Sequence, residues 1–110
     1  MEFGFAGVAT VPTSFEVIGY YYGPAVVRQL NVQVWNYDNN SWVSLGVMPR
    51  VTVDYVTESI EPLPAYSFPI PSGPESESFL SGGEMMIRLD QPQNGNQDHL
   101  LYLDRVWLRY

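Results

Sequence analysis

The chain has 110 residues, with no cysteine, 12 acidic residues, five arginines and no lysine, for a net charge of −7. That composition excludes a disulfide framework and a thiolate metal site, and it argues against a nucleic-acid phosphate backbone as the main partner, because the cationic surface phosphates require is missing. The length fits one domain, 1–110, burying roughly two-thirds of the surface its unfolded chain exposes, and no apolar run approaches the roughly 18 residues of a membrane span.

From Met1 to Thr13 the chain carries Gly4, Gly7 and the turn Val11-Pro12-Thr13, with Phe3 and Phe5 as its anchors. An amino-terminal arm or short edge strand is expected over 1–13. Ser14 to Tyr22 is rich in aromatic and β-branched residues and runs into Gly23-Pro24, so it reads as a strand closed by a turn. Its three consecutive tyrosines must point to both faces. Arg28 to Tyr37 alternates: Leu30, Val32 and Val34 share one face, and Gln29, Asn31, Gln33, Trp35 and Tyr37 share the other. The aliphatic face is the core face. Asp38-Asn39-Asn40-Ser41 supplies turn residues and Trp42 to Val47 resumes an extended pattern, which together predict a hairpin. Arg50 to Thr57 alternates again and predicts a further strand, with Val51, Val53 and Tyr55 opposite Thr52, Asp54 and Val56.

Residues 58–81 change character, with Pro62, Pro64, Pro69, Pro71 and Pro74 close together. A central strand does not absorb that many lost donors, so the segment reads as a long ordered excursion in which Tyr66-Ser67-Phe68 can form only a short edge strand. From Asp54 to Glu84 the carboxylates Asp54, Glu58, Glu61, Glu75, Glu77 and Glu84 occur without one basic side chain, which makes a local acidic surface. The chain then closes with two strands, Ser81 to Asp90 and His99 to Tyr110, joined by the apolar-free loop Gln91 to Asp98. Met85, Ile87 and Leu89 share a face. In the last strand Leu101 and Leu103 have one parity and Val106 and Leu108 the other, so a single inward face needs one extra residue near Asp104-Arg105, the signature of a β-bulge. No segment holds helical periodicity over three turns. The expected fold is all-β, with Leu30, Val32, Val34, Met85, Ile87, Leu89, Leu101 and Leu103 buried between two sheets.

Catalytic chemistry is poorly supplied. His99 is the sole histidine, no nucleophile-elbow pattern surrounds a serine, and Glu75 and Glu77 lie in a Pro/Ser/Gly stretch that favours solvent over the raised pKa of an acid catalyst. We therefore expect no enzyme activity and no cofactor. Asp38-Asn39-Asn40, or Asp98 with Asp104, offer oxygens to calcium but match no calcium-loop spacing, so no metal is expected. Asp104 is expected instead to pair with an arginine or cap backbone donors at the bulge. Asn39-Asn40-Ser41 fits the glycosylation sequon, a chance match in a chain without a secretory signal. The functional signal lies in the aromatic residues: Trp35 and Tyr37 on the polar face of their strand, and Trp107 beside Arg105 and Arg109. Tryptophan with arginine is the composition of interface hot spots and of sugar-stacking platforms. The alternative is that a second layer, such as the proline-rich excursion, covers these rings.

Val32-Gln33-Val34-Trp35-Asn36-Tyr37, Ser41-Trp42-Val43-Ser44-Leu45-Gly46, Leu80-Ser81-Gly82-Gly83-Glu84-Met85-Met86-Ile87-Arg88-Leu89 and His99-Leu100-Leu101-Tyr102-Leu103-Asp104 resemble the galactose-binding-like jelly-roll domain found in tailed-phage virion proteins and carbohydrate-binding modules. The resemblance implies a two-sheet antiparallel jelly-roll sandwich, with Arg88 and Asp104 as structural framework residues. The proline-rich insert from Glu61 to Pro74 is longer than that family's usual connection. With Met1 opening the domain and Tyr110 closing it, the expectation is a free-standing protein made in a host cytoplasm and carried in the virion, where it binds other virion proteins multivalently. A lectin-like glycan binder is the alternative. The expected contacts are Pro64, Tyr66, Phe68 and Ile70 of the excursion with the arm, then Trp35, Tyr37 and Trp107. Deleting Pro64 to Pro71 is expected to leave a folded domain that no longer attaches.

Overall fold

The computed structural model describes residues 1–22, 30–90 and 100–110. The Gly23-Pro24 turn, the start of the strand predicted from Arg28, the Gln91–Asp98 loop and His99 lie outside the described residues.

The first sheet forms from strands whose apolar residues alternate. β1 (Glu2–Phe5), β3 (Leu30–Asn36), β4 (Ser41–Met48) and β7 (Met85–Asp90) pair antiparallel in the order β1-β7-β3-β4. Leu30, Val32 and Val34 on β3 and Met85, Ile87 and Leu89 on β7 all turn inward and are buried. Asn36 ends β3 by accepting the N–H groups of Asp38 (2.9 Å) and Asn39 (3.0 Å), and Asn40 takes φ 51°, a conformation asparagine tolerates. The predicted hairpin follows.

The second sheet is organised around β2 (Ser14–Tyr22). β8 (Leu100–Arg109) pairs with its whole length on one side, while β6 (Ala65–Pro69) and the two-residue β5 (Arg50–Val51) share the other side end to end. Phe15, Val17 and Tyr21 of β2 face the first sheet and close the core with Met48, Phe68, Ile70 and Phe79. The chain crosses between sheets from β1 to β2, β2 to β3, β4 to β5, β6 to β7 and β7 to β8. The product is a two-sheet, mostly antiparallel β-sandwich.

The bulge falls where the parity of β8 placed it. Pairing jumps from Ile18–Arg105 to Gly19–Leu103, which leaves Asp104 as the extra residue. Gly19 makes the jump sterically feasible, because a Cβ there would drive into the carbonyl oxygen of Tyr102. Gly19→Ala should therefore cost about 1–3 kcal/mol, as forced overpacking does, read as a lower urea midpoint; an unchanged midpoint would mean the two strands can separate there freely. A second bulge was not expected. Between β3 and β4 the register passes from Val32–Gly46 to Gln33–Ser44, with Leu45 extra and Gly46 at φ 150° against the Phe68 ring.

Three expectations need correcting, and one pair of alternatives is resolved. Leu101 and Leu103 pack on the core but are only half-buried, because β8 has a single strand neighbour among the described residues. The strand predicted over Arg50–Thr57 stops at Val51: β6 already occupies β2 from Ser14 to Ile18, and of the four residues left β5 pairs with Tyr21 and Tyr22. Of the two alternatives for the amino-terminal segment the structure has the short edge strand: β1 pairs with β7 at the edge of the first sheet, and Val8 is buried with its N–H on the Gly83 carbonyl at 2.8 Å. Phe68 and Ile70, expected as partner contacts, are each 5% exposed and belong to the core. Their neighbours Pro64 and Tyr66 are half-buried, with Tyr66 stacked on Phe68 at 6.3 Å.

Candidate binding surfaces

Each sheet has an outer face, and the two faces differ. On the first sheet the strand registers line the outward residues into rows across the strands. Glu2 lies beside Arg88 and Arg88 beside Gln33, which pairs with Ser44. The next row is Gly4, Met86, Trp35 and Trp42, where Gly4 pairs with Met86, Trp35 pairs with Trp42, and the β3–β7 register continued by one residue sets Met86 beside Trp35. Four strands about 4.8 Å apart make this apolar stripe about 14 Å long. Trp35 and Trp42 meet edge to face at 5.0 Å. The guanidinium of Arg88 lies over the Trp42 ring at 4.4 Å and donates through Nε (2.9 Å) and Nη2 (2.7 Å) to Gln33 Oε1. At the β1 end Gly4 borders a hollow of about 320 Å3, lined also by Phe5, Ala6, Glu84, Met85 and Met86.

Tyr37 borders the same face. Its N–H donates to the Ser78 carbonyl at 2.8 Å, tying the end of β3 to the 3-10 turn Ser76–Phe79. Burial holds its hydroxyl above the ordinary tyrosine value, and the charge of Glu84 adds to that. Asp38 accepts from the Ser78 hydroxyl at 2.8 Å, which engages the carboxylate of the Asp38-Asn39-Asn40 turn. Among the described residues no group of three His, Cys, Asp or Glu side chains converges as a metal site would require.

The outer face of the second sheet is stepped. Residues 52–60 fold over it as a flap: Tyr55 packs on Tyr20 at 5.3 Å, and Tyr20 stacks on Tyr102 at 5.5 Å. The Tyr20 hydroxyl donates to Asp54 Oδ1 and accepts the Val56 N–H at 3.2 Å, while the Thr57 hydroxyl donates to Asp54 Oδ2 at 2.8 Å. The hydrogen bond from Tyr20, with that from Thr57, holds the Asp54 carboxyl below its usual value. Beyond the flap lies a lower shelf with Trp107, Arg105, Arg109 and Glu16. Arg105 covers Trp107 at 4.9 Å, and Arg109 Nε sits 3.3 Å from Glu16 Oε1, whose side chain is 8% exposed. A cleft of about 220 Å3 opens here between β8 and β6, with Ser67 opposite Trp107.

The structure thus divides the aromatic residues singled out in the sequence: Trp35 and Tyr37 belong to one face of the sandwich and Trp107 to the other. The layer that does cover rings is residues 52–60, over Tyr20 and Tyr102, and not the proline-rich excursion over Trp35. Arg88 is a cross-strand tie, whereas the Asp104 carboxylate, exposed at the bulge, makes neither the ion pair nor the cap expected of it among the described residues. Sequence reasoning missed Trp42, Met86 and Gly4. The signal for Trp42 was present, because a four-residue turn from Tyr37 to Asn40 sets Asn36 opposite Ser41 and hence Trp35 opposite Trp42.

Burial also raises Tyr20, assisted by its bond to Asp54, and Tyr66. A raised folded value contributes stability below the unfolded tyrosine pKa of about 10, and that contribution is lost as pH rises through the folded values. Unfolding free energy should therefore fall steadily above pH ~10, with a shallower fall in Tyr20→Phe. A flat alkaline limb in urea titrations would contradict this.

No family model matches the chain, and no curated protein or solved structure matches it.

Proposed function

We propose that the chain is a non-enzymatic virion structural protein, a capsid decoration or head-tail accessory component, that docks on another virion subunit through the outer face of its first sheet. The observation that carries the docking face is the row Gly4, Met86, Trp35 and Trp42: an apolar stripe with a hollow at one end and an arginine at the other. Tryptophan and arginine flanked by polar residues make an interface centre that excludes water. A sugar platform instead needs an open ring face. Arg88 already covers Trp42, and the edge of one tryptophan meets the other, so a protein partner is favoured over a glycan. The virion assignment rests on the resemblance of the Trp35, Gly83-Glu84 and Tyr102-Leu103-Asp104 segments to jelly-roll domains of tailed-phage virion proteins.

The test is co-sedimentation of the purified chain with assembled particles. Trp35→Ala and Gly4→Leu, which fills the hollow, should each abolish attachment while the circular dichroism spectrum stays that of the folded domain. Attachment by both variants at full occupancy would remove this face from the reading. Binding on a glycan array that Trp35→Ala abolishes would replace the protein partner with a sugar.

A further inference from the structure

The outer face of the second sheet carries a different surface from the docking stripe, and its two halves complement each other. The raised half is the flap. It exposes Val56 (50%) and Ile60 (37%), and it carries Asp54 and Glu58, with Glu61 directly after it, and no arginine. The lower half is the shelf, where Arg105 and Arg109 flank the half-buried Trp107 and a cleft opens toward Ser67. Both halves stand on the same two strands: Tyr20 and Tyr102 beneath the flap, Glu16 and Trp107 along the shelf.

We propose that this face is an isologous interface on which two copies of the chain associate about a twofold axis, each laying its flap on the shelf of the other. A twofold interface must be complementary to itself, so that whatever one end offers, the other end of the same face accepts. Here the step supplies the shape, since a raised flap meets a lowered shelf. The apolar match is Val56 and Ile60 against Trp107. The charge match is Glu58 and Glu61 against Arg105 and Arg109, and it is local: the chain as a whole is at −7, so two copies repel until these groups meet. The dimer leaves the first sheet of each copy facing outward on opposite sides, which presents two copies of the docking stripe and makes attachment bivalent.

The experiment is sedimentation velocity on the purified chain and on three charge variants, with circular dichroism as the folding control. Wild type should sediment as a dimer at high micromolar concentration. Arg105→Glu and Glu58→Arg should each weaken association on the order of tenfold or more, because attraction becomes repulsion, and the combined variant should restore it. Glu58→Arg is the sharper arm: it reduces the net negative charge by two, so association limited only by overall repulsion would strengthen. A wild type that stays monomeric, a Glu58→Arg chain that associates more tightly, a combined variant that fails to recover, or open-ended oligomers in place of a dimer would each overturn the proposal.

Discussion

Val34→Asp should unfold the domain or come close to it, while Gln33→Asp, one residue away, should leave its stability almost unchanged. Val34 has no exposed surface and sits at the middle of the first sheet, registered with Val43 on one side and Ile87 on the other. An aspartate there has no cationic partner within the core, so its charge or its proton must be forced at a cost of about 3 kcal/mol or more, against a total of roughly 5–15 for a domain. Gln33 lies on the outer face and accepts both Arg88 donors through Oε1. An aspartate in its place keeps an acceptor facing the guanidinium, and the change should stay within about 0.5 kcal/mol, as surface changes do. Urea midpoints of the two variants decide the matter. Equal midpoints would mean that β3 presents the opposite face to the core.

That strand shows what the sequence exposes and what it hides. Alternation along a single strand is a local property, so the inward faces of β3 and β7 were readable from Leu30, Val32, Val34, Met85, Ile87 and Leu89 alone. The bulge at Asp104 was readable for the same reason, since two apolar pairs of opposite parity on one strand leave no other solution. Leu45 gave no such sign, because the β4 bulge depends on Gly46 reaching φ 150° beneath Phe68, a residue from the other sheet. The flap is the clearest case of tertiary override. Val51, Val53 and Tyr55 alternate as well as any strand in the chain, yet β6 holds most of that side of β2 and β5 pairs with only its last two residues. Tyr55 then finds its partner on the outer face, on Tyr20. The candidate docking row was half legible: the hairpin count places Trp42 beside Trp35, but that Gly4 and Met86 extend the row depends on β1 pairing with β7 across most of the chain.

Deleting Pro64 to Pro71 should abolish the fold, in place of leaving a folded domain that no longer attaches. Proline density makes this segment look like a surface excursion, but Tyr66, Phe68 and Ile70 alternate, and the structure uses that alternation. Phe68 stacks on Phe15 at 6.4 Å, and Ile70 donates its N–H to the Thr13 carbonyl at 2.9 Å. Pro69 does little harm where it stands, at the last position of an edge strand. The deletion removes β6 from the side of β2 and two side chains that are each 5% exposed. Truncating one buried Phe costs about 3–5 kcal/mol and one Ile about 2–5, so their joint loss alone rivals the whole stability of a domain. Phe68→Ala separates the packing from the chain break: it should lower the unfolding free energy by about 3–5 kcal/mol, while Ser67→Ala, on the exposed side of the same strand, should change little. A deletion variant that still melts cooperatively near the wild-type temperature would show that β6 is an accessory to the sandwich, and would return Pro64 and Tyr66 to the surface as contact residues.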